Sequence, residues 1–404
     1  MRISNTDRRH GLAIFVVNAG SSSVKYKRFL MREPDDYEVT HEGKVTRVGE
    51  DSEESLAFLD GAEEPTTIPN GLNHEGAIEY ILKNSIGDAP IHVVGNRVVH
   101  GRDISKSCLI NEGIESVIEG AITIAPVHNP YALKVIRAMR AAMPDTPQVA
   151  TFDTSLYVDM PPENTILAIP YSYYEDYGIQ RYGFHGTSHR YVAGRVAQYF
   201  GRPLEELRMV TCHKGNGTSI TVWRDGKAVN TSMSFTPTAG TIMGSRCGDL
   251  DPGIVLYMIE IMKKTPEQVK DILNNKSGIL GISGVSNDIQ ILEEAMATGG
   301  DPDGRIEFAL DLYSKSVRKY IVQYVYEELG GEVDSVVFTA GIGEHADDLR
   351  ERRIVQRLPA HLRSQLGNAS REINDPPPAS KKCFLIVHTD EELMIAQDAF
   401  HLVT

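Results

Sequence analysis

Cysteine is scarce. Cys108, Cys212, Cys247 and Cys383 are the only four in 404 residues, and they form neither a C-x-x-C pair nor a metal-ligand spacing. Such sparse, scattered thiols fit a reduced, cytoplasmic protein. No apolar run approaches about 18 residues, so no membrane span is expected, and the opening MRISNTDRRHGLAIFVVN has neither the apolar stretch nor the cleavage site of a signal peptide. Long Lys/Arg blocks are missing too: 41 basic against 55 acidic residues give a net charge of −14, which argues against nucleic acid as a partner. A small anion would have to be drawn in by a few local cations and backbone amides, so single Arg, Lys and His residues carry information. The chain contains no G-x-x-x-x-G-K-[ST], no H-R-D and no D-F-G, which excludes the P-loop and protein-kinase classes.

What is present is an ordinary globular composition, 41% hydrophobic and 24% charged, over a length that predicts roughly two domains of ~150–200 residues. Apolar β-type runs at 12–18 and 24–29 flank the polar turn Gly20-Ser21-Ser22-Ser23, and a third β-like stretch follows at 38–48. After a Gly/Glu/Pro-rich loop, Ala77, Ile78, Ile81 and Leu82 share a helical face, and 91–99 and 149–152 read as strands around a helix opened by Asn129-Pro130. A second strand-turn-strand unit, MVTCHKGNGTSITVW from Met209, echoes the first about two hundred residues later, a weak internal duplication. Further on lie helices opened by Asp251-Pro252 and Thr265-Pro266, a long helix over 305–329, a strand over 335–339, a linker signal at Asp375 and its three prolines, a strand over 384–387 and a closing helix from Glu391.

Three Gly/Ser/Thr-rich turns follow apolar strands, at 18–23, 213–219 and 340–344, and such turns expose backbone N–H groups that can cradle phosphate oxygens. Asp153 at a strand end, with Asn18 and Glu391, supplies hard oxygens suited to Mg²⁺, although capping would equally account for Glu391. Arg97 sits inside an apolar strand, where a cation needs a carboxylate or phosphate partner. Arg246 stands between glycines, where a guanidinium fork can reach an anion. His185 and His189 are spaced i, i+4 but lack a third metal ligand nearby. Ser22-Ser23-Val24-Lys25 fits S-x-x-K, yet the serine acyl-enzyme reading fails because that motif needs a helix start.

In order along the chain, NAGSSSVK (18–25), NRVVHG (96–101), APVHNP (125–130), FDTS (152–155), RYGFHGTSH (181–189), CHKGNGTSI (212–220), SFTP (234–237), SRCGDLDP (245–252), FTAGIGE (338–344) and DEEL (390–393) resemble the acetate kinase family over nearly the whole length. The RVVHG and GFHGTSH wording sets the chain apart from the related butyrate kinases and favours the short acid. The resemblance implies an α/β fold of two duplicated actin-like, ribonuclease H-like domains around a central cleft, one formed by 1–154 with 386–404 and the other by 155–385. It also implies a homodimer and a reversible, direct in-line transfer of the ATP γ-phosphoryl group to acetate, giving acetyl phosphate and ADP, with Mg²⁺ (or Mn²⁺) as cofactor. A non-enzymatic, actin-like or chaperone-like ATPase switch is disfavoured because nothing is inserted beyond the two halves.

Residue by residue, the resemblance carries Asn18 and Glu391 to the metal, Lys25 to the nucleotide phosphates, and Arg97 to the substrate carboxylate. Asp153 goes to the reaction centre, and His185 and Arg246 to the transition state. Val99, Val127, His128, Phe184 and Pro237 fall at the acetate pocket. His213, Lys214, Gly215, Asn216 and Gly217, then Asp288, Ile289 and Gln290, then Gly341, Ile342, Gly343, Glu344 and His345 fall at the nucleotide site. Three departures bear on the nucleotide: Lys214 stands where the family usually has Leu, Asp288-Ile289-Gln290 where an Asp-Phe-Arg triplet is usual, and His345 where Asn is usual. Lys214 is expected to add its charge beside the phosphates. Acetate is already ionised at pH 7, its pKa being near the ~4 of side-chain carboxyls, so Asp153 is expected to act through Mg²⁺, water or orientation rather than as a base.

Overall fold

Side-chain alternation and β-branched runs set the first sheet, whose central strand buries every residue from 12 to 17. The computed structural model describes residues 11–49 and 52–404; the first ten residues, expected to carry no signal peptide, lie outside the described residues. The strands β1 (Leu12–Ala19), β2 (Ser23–Glu33), β3 (Asp36–Thr46), β4 (Glu54–Leu59) and β5 (Thr66–Pro69) form an antiparallel meander. On the other side of β1, β6 (Val93–Val98) and β8 (Gln148–Phe152) run parallel to it, and the short β7 (Cys108–Leu109) closes the edge in the order β5-β4-β3-β2-β1-β6-β8-β7. The segment expected to be a Gly/Glu/Pro-rich loop holds β4 and the short edge strand β5, where Pro69 is tolerated because an edge does not need its N–H. On one face, Phe15, Val17 and Val94 pack against Val135 and Met139 of the helix Asn129–Ala142. On the other, the helix Glu391–Val403 lies close because Gly95 has no side chain; a Cβ there would sit 2.7 Å from Ile395 Cγ2.

The second sheet repeats this plan. β9 (Met209–Lys214), β10 (Thr218–Arg224) and β11 (Lys227–Thr231) form the antiparallel part, and β12 (Ser335–Thr339), β14 (Cys383–Ile386) and β13 (Ser370–Glu372) add parallel strands in the order β11-β10-β9-β12-β14-β13. The core orders β3-β2-β1-β6-β8 and β11-β10-β9-β12-β14 are the same, so the duplication seen in the two strand-turn-strand units is one of topology. Residues up to 158 with 390–404 form one unit, and 159–389 the other. The expected linker at Asp375 and its prolines lies between β13 and β14, inside the second unit. Proline has no N–H for the ladder, so the tripeptide marks a loop between two strands and no domain boundary. The long helix runs Arg305–Gln323 and widens into a π-turn over Tyr324–Glu328. Among the described residues no helix is long and apolar enough to cross a membrane.

The same alternation corrects the expectation for Lys214. Val210 and Cys212 of β9 lie in the core of the second unit, and Lys214, two residues on, points the same way. It is fully buried. Its ammonium sits 5.7 Å from the ring centre of Tyr313 and 5.5 Å from that of Phe338, with no hydrogen-bond partner among the described residues. Burial pushes its pKa down to about 7, opposed by the Cys212 thiol, reinforced by the Arg350 guanidinium and opposed by Glu351. Its charge therefore faces two aromatic rings rather than a nucleotide phosphate.

A buried lysine whose folded pKa lies below its unfolded value destabilises the fold wherever the unfolded chain holds the proton more tightly. Between about pH 7 and 10.5, stability therefore rises with pH. Lys214→Met is expected to stabilise the protein by about 2–4 kcal/mol at pH 7, the pKa contribution at about 1.4 kcal/mol per unit less the lost cation–π contacts. Urea denaturation should show the gain shrinking towards pH 10; a gain equal at both pH values would contradict the burial of an uncompensated charge. Gly95→Ala, by contrast, should cost about 1–3 kcal/mol, as overpacking does, and should selectively speed amide exchange in the 391–403 helix. An unchanged urea midpoint would show that the close approach at Ile395 is unimportant.

Candidate active site

In the first unit, the strand ends that share one edge of the sheet bring together Asn18, Arg97 and Asp153, and the start of the C-terminal helix adds Glu391 and Glu392. Arg97 Nη2 donates to Asp153 Oδ2 at 2.7 Å, while Nη1 reaches Asn18 Oδ1 at 3.3 Å and lies 3.2 Å from Glu391 Oε2. Asn18 Nδ2 donates to Glu392 Oε1 at 3.0 Å. Three carboxylates thus crowd one guanidinium. Burial first, then Asp153 and Glu392, hold the Glu391 carboxyl up at about 7 against the lowering pull of Arg97 and Lys25; the same acids push Arg97 further above its usual value despite burial. Arg97 Nε is buried and has no acceptor among the described residues, so one donor of the fork is left for a further anion.

The crowded oxygens fit a divalent cation. Among the described residues no group of three or more His, Cys, Asp and Glu is arranged to hold a metal ion, but Mg²⁺ asks for only one or two carboxylates, with water and phosphate completing its shell. Asn18 and Glu391 offer such oxygens, and Asp153 and Glu392 add to burial in raising the Glu391 pKa. Val99 is buried at the end of β6, whereas Val127 is exposed on the turn before the helix Asn129–Ala142. His128 occupies the N-cap position of that helix. Next to Val99, Asn129 fixes the turn: its Oδ1 accepts from His100 N, and its Nδ2 donates to His100 O and Ile118 O. Burial and the Arg102 charge hold His100 down at about 4. Lys25 is exposed on β2.

The second unit carries the other half of the expected set. His185 opens the helix Gly186–Phe200 with a left-handed φ of 57°, a conformation that costs a non-glycine residue about 1–3 kcal/mol and collects at functional sites. Its ring stacks on His213, centroids 4.2 Å apart, and its Nδ1 lies 2.8 Å from Ser219 Oγ; His213 Nδ1 lies 2.8 Å from Ser188 Oγ. The Arg246 guanidinium donates to Pro237 O at 3.1 Å and pairs with no carboxylate among the described residues. Burial lowers its pKa, but a guanidinium stays charged. His185 and Arg246 converge on Gly217: a Cβ there would meet Arg246 Nη1 at 3.2 Å and His185 Nε2 at 3.3 Å. Two nitrogen donors flanking a bare backbone make an anion seat. Phe184, next to His185, is buried.

A cavity of about 450 Å³ lies in the same unit. Of the expected nucleotide residues it is lined by Gly215, Asn216, Asp288, Ile289, Gln290, Gly341, Ile342 and His345; Asn287, Glu293 and Ala346 complete its wall, and none of these three was foreseen. Asn287 Nδ2 donates to Asn216 Oδ1 at 2.9 Å, tying one wall to the 215–217 turn. Asp288 caps the helix Ile289–Ala297, and Ile289 buries its side chain in the core. Gly343 is buried, and Glu344 turns inward: its Oε1 accepts from Ala340 N and Thr389 N, and its Oε2 lies 2.8 Å from His388 Nδ1. Arg350 braces the turn through Gly343 O and Glu344 O. The structure thus makes Glu344 a clamp for the loop after β12, while Lys214, His213 and Gly217 lie off the cavity wall.

This geometry has known counterparts. The model of the acetokinase family matches residues 13–397. A curated relative, the acetate kinase of Dictyoglomus turgidum, is 42% identical over 97% of this chain and 98% of its own length. Among solved structures, the acetate kinase of Porphyromonas gingivalis superposes with a TM-score of 0.84 at 33% identity, covering 98% of this chain and all of that one. A propionate kinase from Francisella tularensis does so with a TM-score of 0.83 at 32% identity, covering 97% of this chain and all of that one. With a family model matched over almost its whole length and relatives of that identity, the chain belongs to the acetokinase family.

Proposed function

We propose that the chain catalyses ATP-dependent phosphorylation of acetate by a single in-line transfer. One acetate oxygen bonds to the γ-phosphorus of ATP while the bond from that phosphorus to the β,γ-bridging oxygen breaks, and its electron pair leaves with ADP. No proton needs to move, because acetate arrives ionised. The obstacle is repulsion between a carboxylate and a triphosphate, which preorganised donors relieve without covalent chemistry. The observation that carries this reading is the seat at Gly217, where Arg246, a half-buried guanidinium without a carboxylate partner among the described residues, converges with His185.

Arg97 holds the acetate carboxylate through its unused Nε, and Asp153, bonded to Arg97 Nη2, orients that guanidinium. Val99, Val127, His128, Phe184 and Pro237 serve the methyl group of acetate. The 450 Å³ cavity takes the nucleotide, and Lys25 serves its phosphates. Asn18 and Glu391 would hold Mg²⁺, or Mn²⁺, which when bound supplies charge neutralisation to the phosphate oxygens. In this reading the expected domains, 1–154 with 386–404 and 155–385, correspond to the two units. A second copy of the chain covers the helix Pro252–Glu260 and its tail, where Ile254, Leu256, Tyr257, Ile261 and Met262 are 40–61% exposed, an apolar face of the kind that marks interfaces. A cytoplasmic location fits four cysteines that are all free.

Trapping acetyl phosphate with hydroxylamine tests the reaction. Arg97→Ala and Arg246→Ala should each lower kcat/KM by at least about 10²-fold, the effect of one lost transition-state donor; changes within threefold in both would refute the assigned roles. Propionate, the substrate named for one of the solved relatives, differs from acetate by one methylene, which an apolar pocket discriminates by only about 1–3 kcal/mol. Val99→Ala should shift the acetate-to-propionate ratio of kcat/KM towards propionate, and an unchanged ratio would remove Val99 from the wall.

A further inference from the structure

Behind His185, on the side away from Gly217, a chain of hydrogen bonds runs through a closed interior. Trp223 Nε1 donates to Thr211 Oγ1 at 3.0 Å. Thr211 Oγ1 lies 2.7 Å from His189 Nδ1, His189 Nε2 lies 2.8 Å from Ser219 Oγ, and Ser219 Oγ lies 2.8 Å from His185 Nδ1. Trp223, Thr211, His189 and Ser219 are all buried. Burial, with the neighbouring His213, drives the pKa of His189 well below its ordinary value, so its ring carries one proton.

Counting protons along the chain fixes their direction. The buried Ser219 hydroxyl has one hydrogen, which would go unbonded if it accepted from both rings, so it accepts from one and donates to the other. The other end decides which. Trp223 Nε1 can only donate, and it occupies a lone pair of Thr211 Oγ1. Thr211's own hydrogen can go to His189 Nδ1 at 2.7 Å or to Thr221 O at 3.4 Å, and the shorter contact takes it. His189 Nδ1 is then an acceptor, and its proton sits on Nε2 and points to Ser219. The Ser219 hydrogen turns to His185 Nδ1, and the proton of His185 is left on Nε2, the atom that faces Gly217.

We propose that Trp223, Thr211, His189 and Ser219 form a tautomer lock that holds His185 as an Nε2–H donor towards the transferring phosphoryl group. His189 and Ser219 are positioning residues: they act on the reaction only through His185. The lock explains why a histidine, and not a third arginine, can serve beside Arg246. An imidazole with an enforced Nε2–H donates a hydrogen bond without having to be charged, so the donor is present whether or not the ring gains a second proton. The i, i+4 spacing of His185 and His189, which lacks a third metal ligand nearby in the sequence, is explained by both rings reaching the same serine, one from the N-cap and one from the first turn of the helix. This inference rests on the assignment of His185 to phosphoryl transfer.

The test combines nitrogen NMR with kinetics on the full-length protein. With ¹⁵N-labelled histidine, long-range correlation spectra of the unmodified protein should show pyrrole-type Nε2 and pyridine-type Nδ1 for both His185 and His189, assigned by single substitution of each. Ser219→Ala should convert the His185 signals to a mixture of tautomers and lower kcat about 10- to 100-fold, the usual loss when the outer partner of a working imidazole is removed, with KM for ATP and acetate within about threefold. Ser219→Thr, which keeps the hydroxyl, should restore both readouts. Thr211→Val should disturb the tautomer of His189 in the same way. Active unmodified protein with pyrrole-type Nδ1 on His185 would overturn the lock, even if Ser219→Ala failed to fold. An unchanged kcat in Ser219→Ala would also overturn it. Absence of acetyl hydroxamate from the unmodified protein would instead refute the parent assignment, so the two failures are distinct.

Discussion

Holding a positive charge away from water without an opposite one is costly, and the second unit contains the arrangement twice, fully buried at Lys214 and half-buried at Arg246, with opposite results. Arg246 has no carboxylate partner among the described residues, yet a guanidinium cannot give up its proton, so the charge persists and the site stays hungry for an anion. Lys214 also lacks a hydrogen-bond partner among the described residues, but an ammonium can neutralise itself, and burial brings its pKa down to about 7. Under the proposed function the first becomes machinery, whereas the second is a burden on stability. In the first unit the arithmetic is inverted: several carboxylates share one arginine, and the surplus is negative.

The repeated sheet explains how such different chemistries are displayed by similar scaffolds. In each unit the tight turn between the first two strands presents small residues, Gly20 to Ser23 in one and Gly215 to Gly217 in the other. The parallel strands that follow end in the functional groups: β6 and β8 deliver Arg97 and Asp153, and β12 delivers the 340–344 turn. Ala340 and His185, both with left-handed φ, mark the places where the backbone is held in costly shapes, and the clamps around them, Glu344 with Thr389 and Ser219 with His189, are what hold them there.

Much of this was legible because the informative residues sit in ordered motifs next to strands. The turns at 18–23, 213–219 and 340–344 were found from glycine and serine following apolar runs, and Arg97 from its improbable setting inside such a run. What was missed has physical reasons. The prolines after Asp375 look the same in a loop within a domain as in a linker between domains. Asn287, Glu293 and Ala346 reach the cavity through the fold of distant segments, which no local pattern announces. The direction of Lys214 was readable: counting by twos from Val210 and Cys212 places it in the core, and only the weight given to its charge beside a phosphate loop pointed the other way. Ser219 stood inside a recognised motif, but nothing local distinguishes a hydroxyl that faces a ligand from one that orders two imidazoles.

The helix Glu391–Val403 packs on the first sheet across Gly95, yet it follows 159–389 in the chain. During synthesis, the strands of the first unit leave the ribosome more than two hundred residues before that helix does, a wait of roughly ten to fifty seconds at ordinary elongation rates. Throughout it, the face of β1 and β6 that will receive Ile395 has no cover, and Arg97 has yet to meet Glu391. The second unit has no such dependence and can close on itself as soon as β14 emerges. Assembly order is therefore written into the placement of one helix: the carboxylate cluster of the first unit is completed only after the second unit has been made.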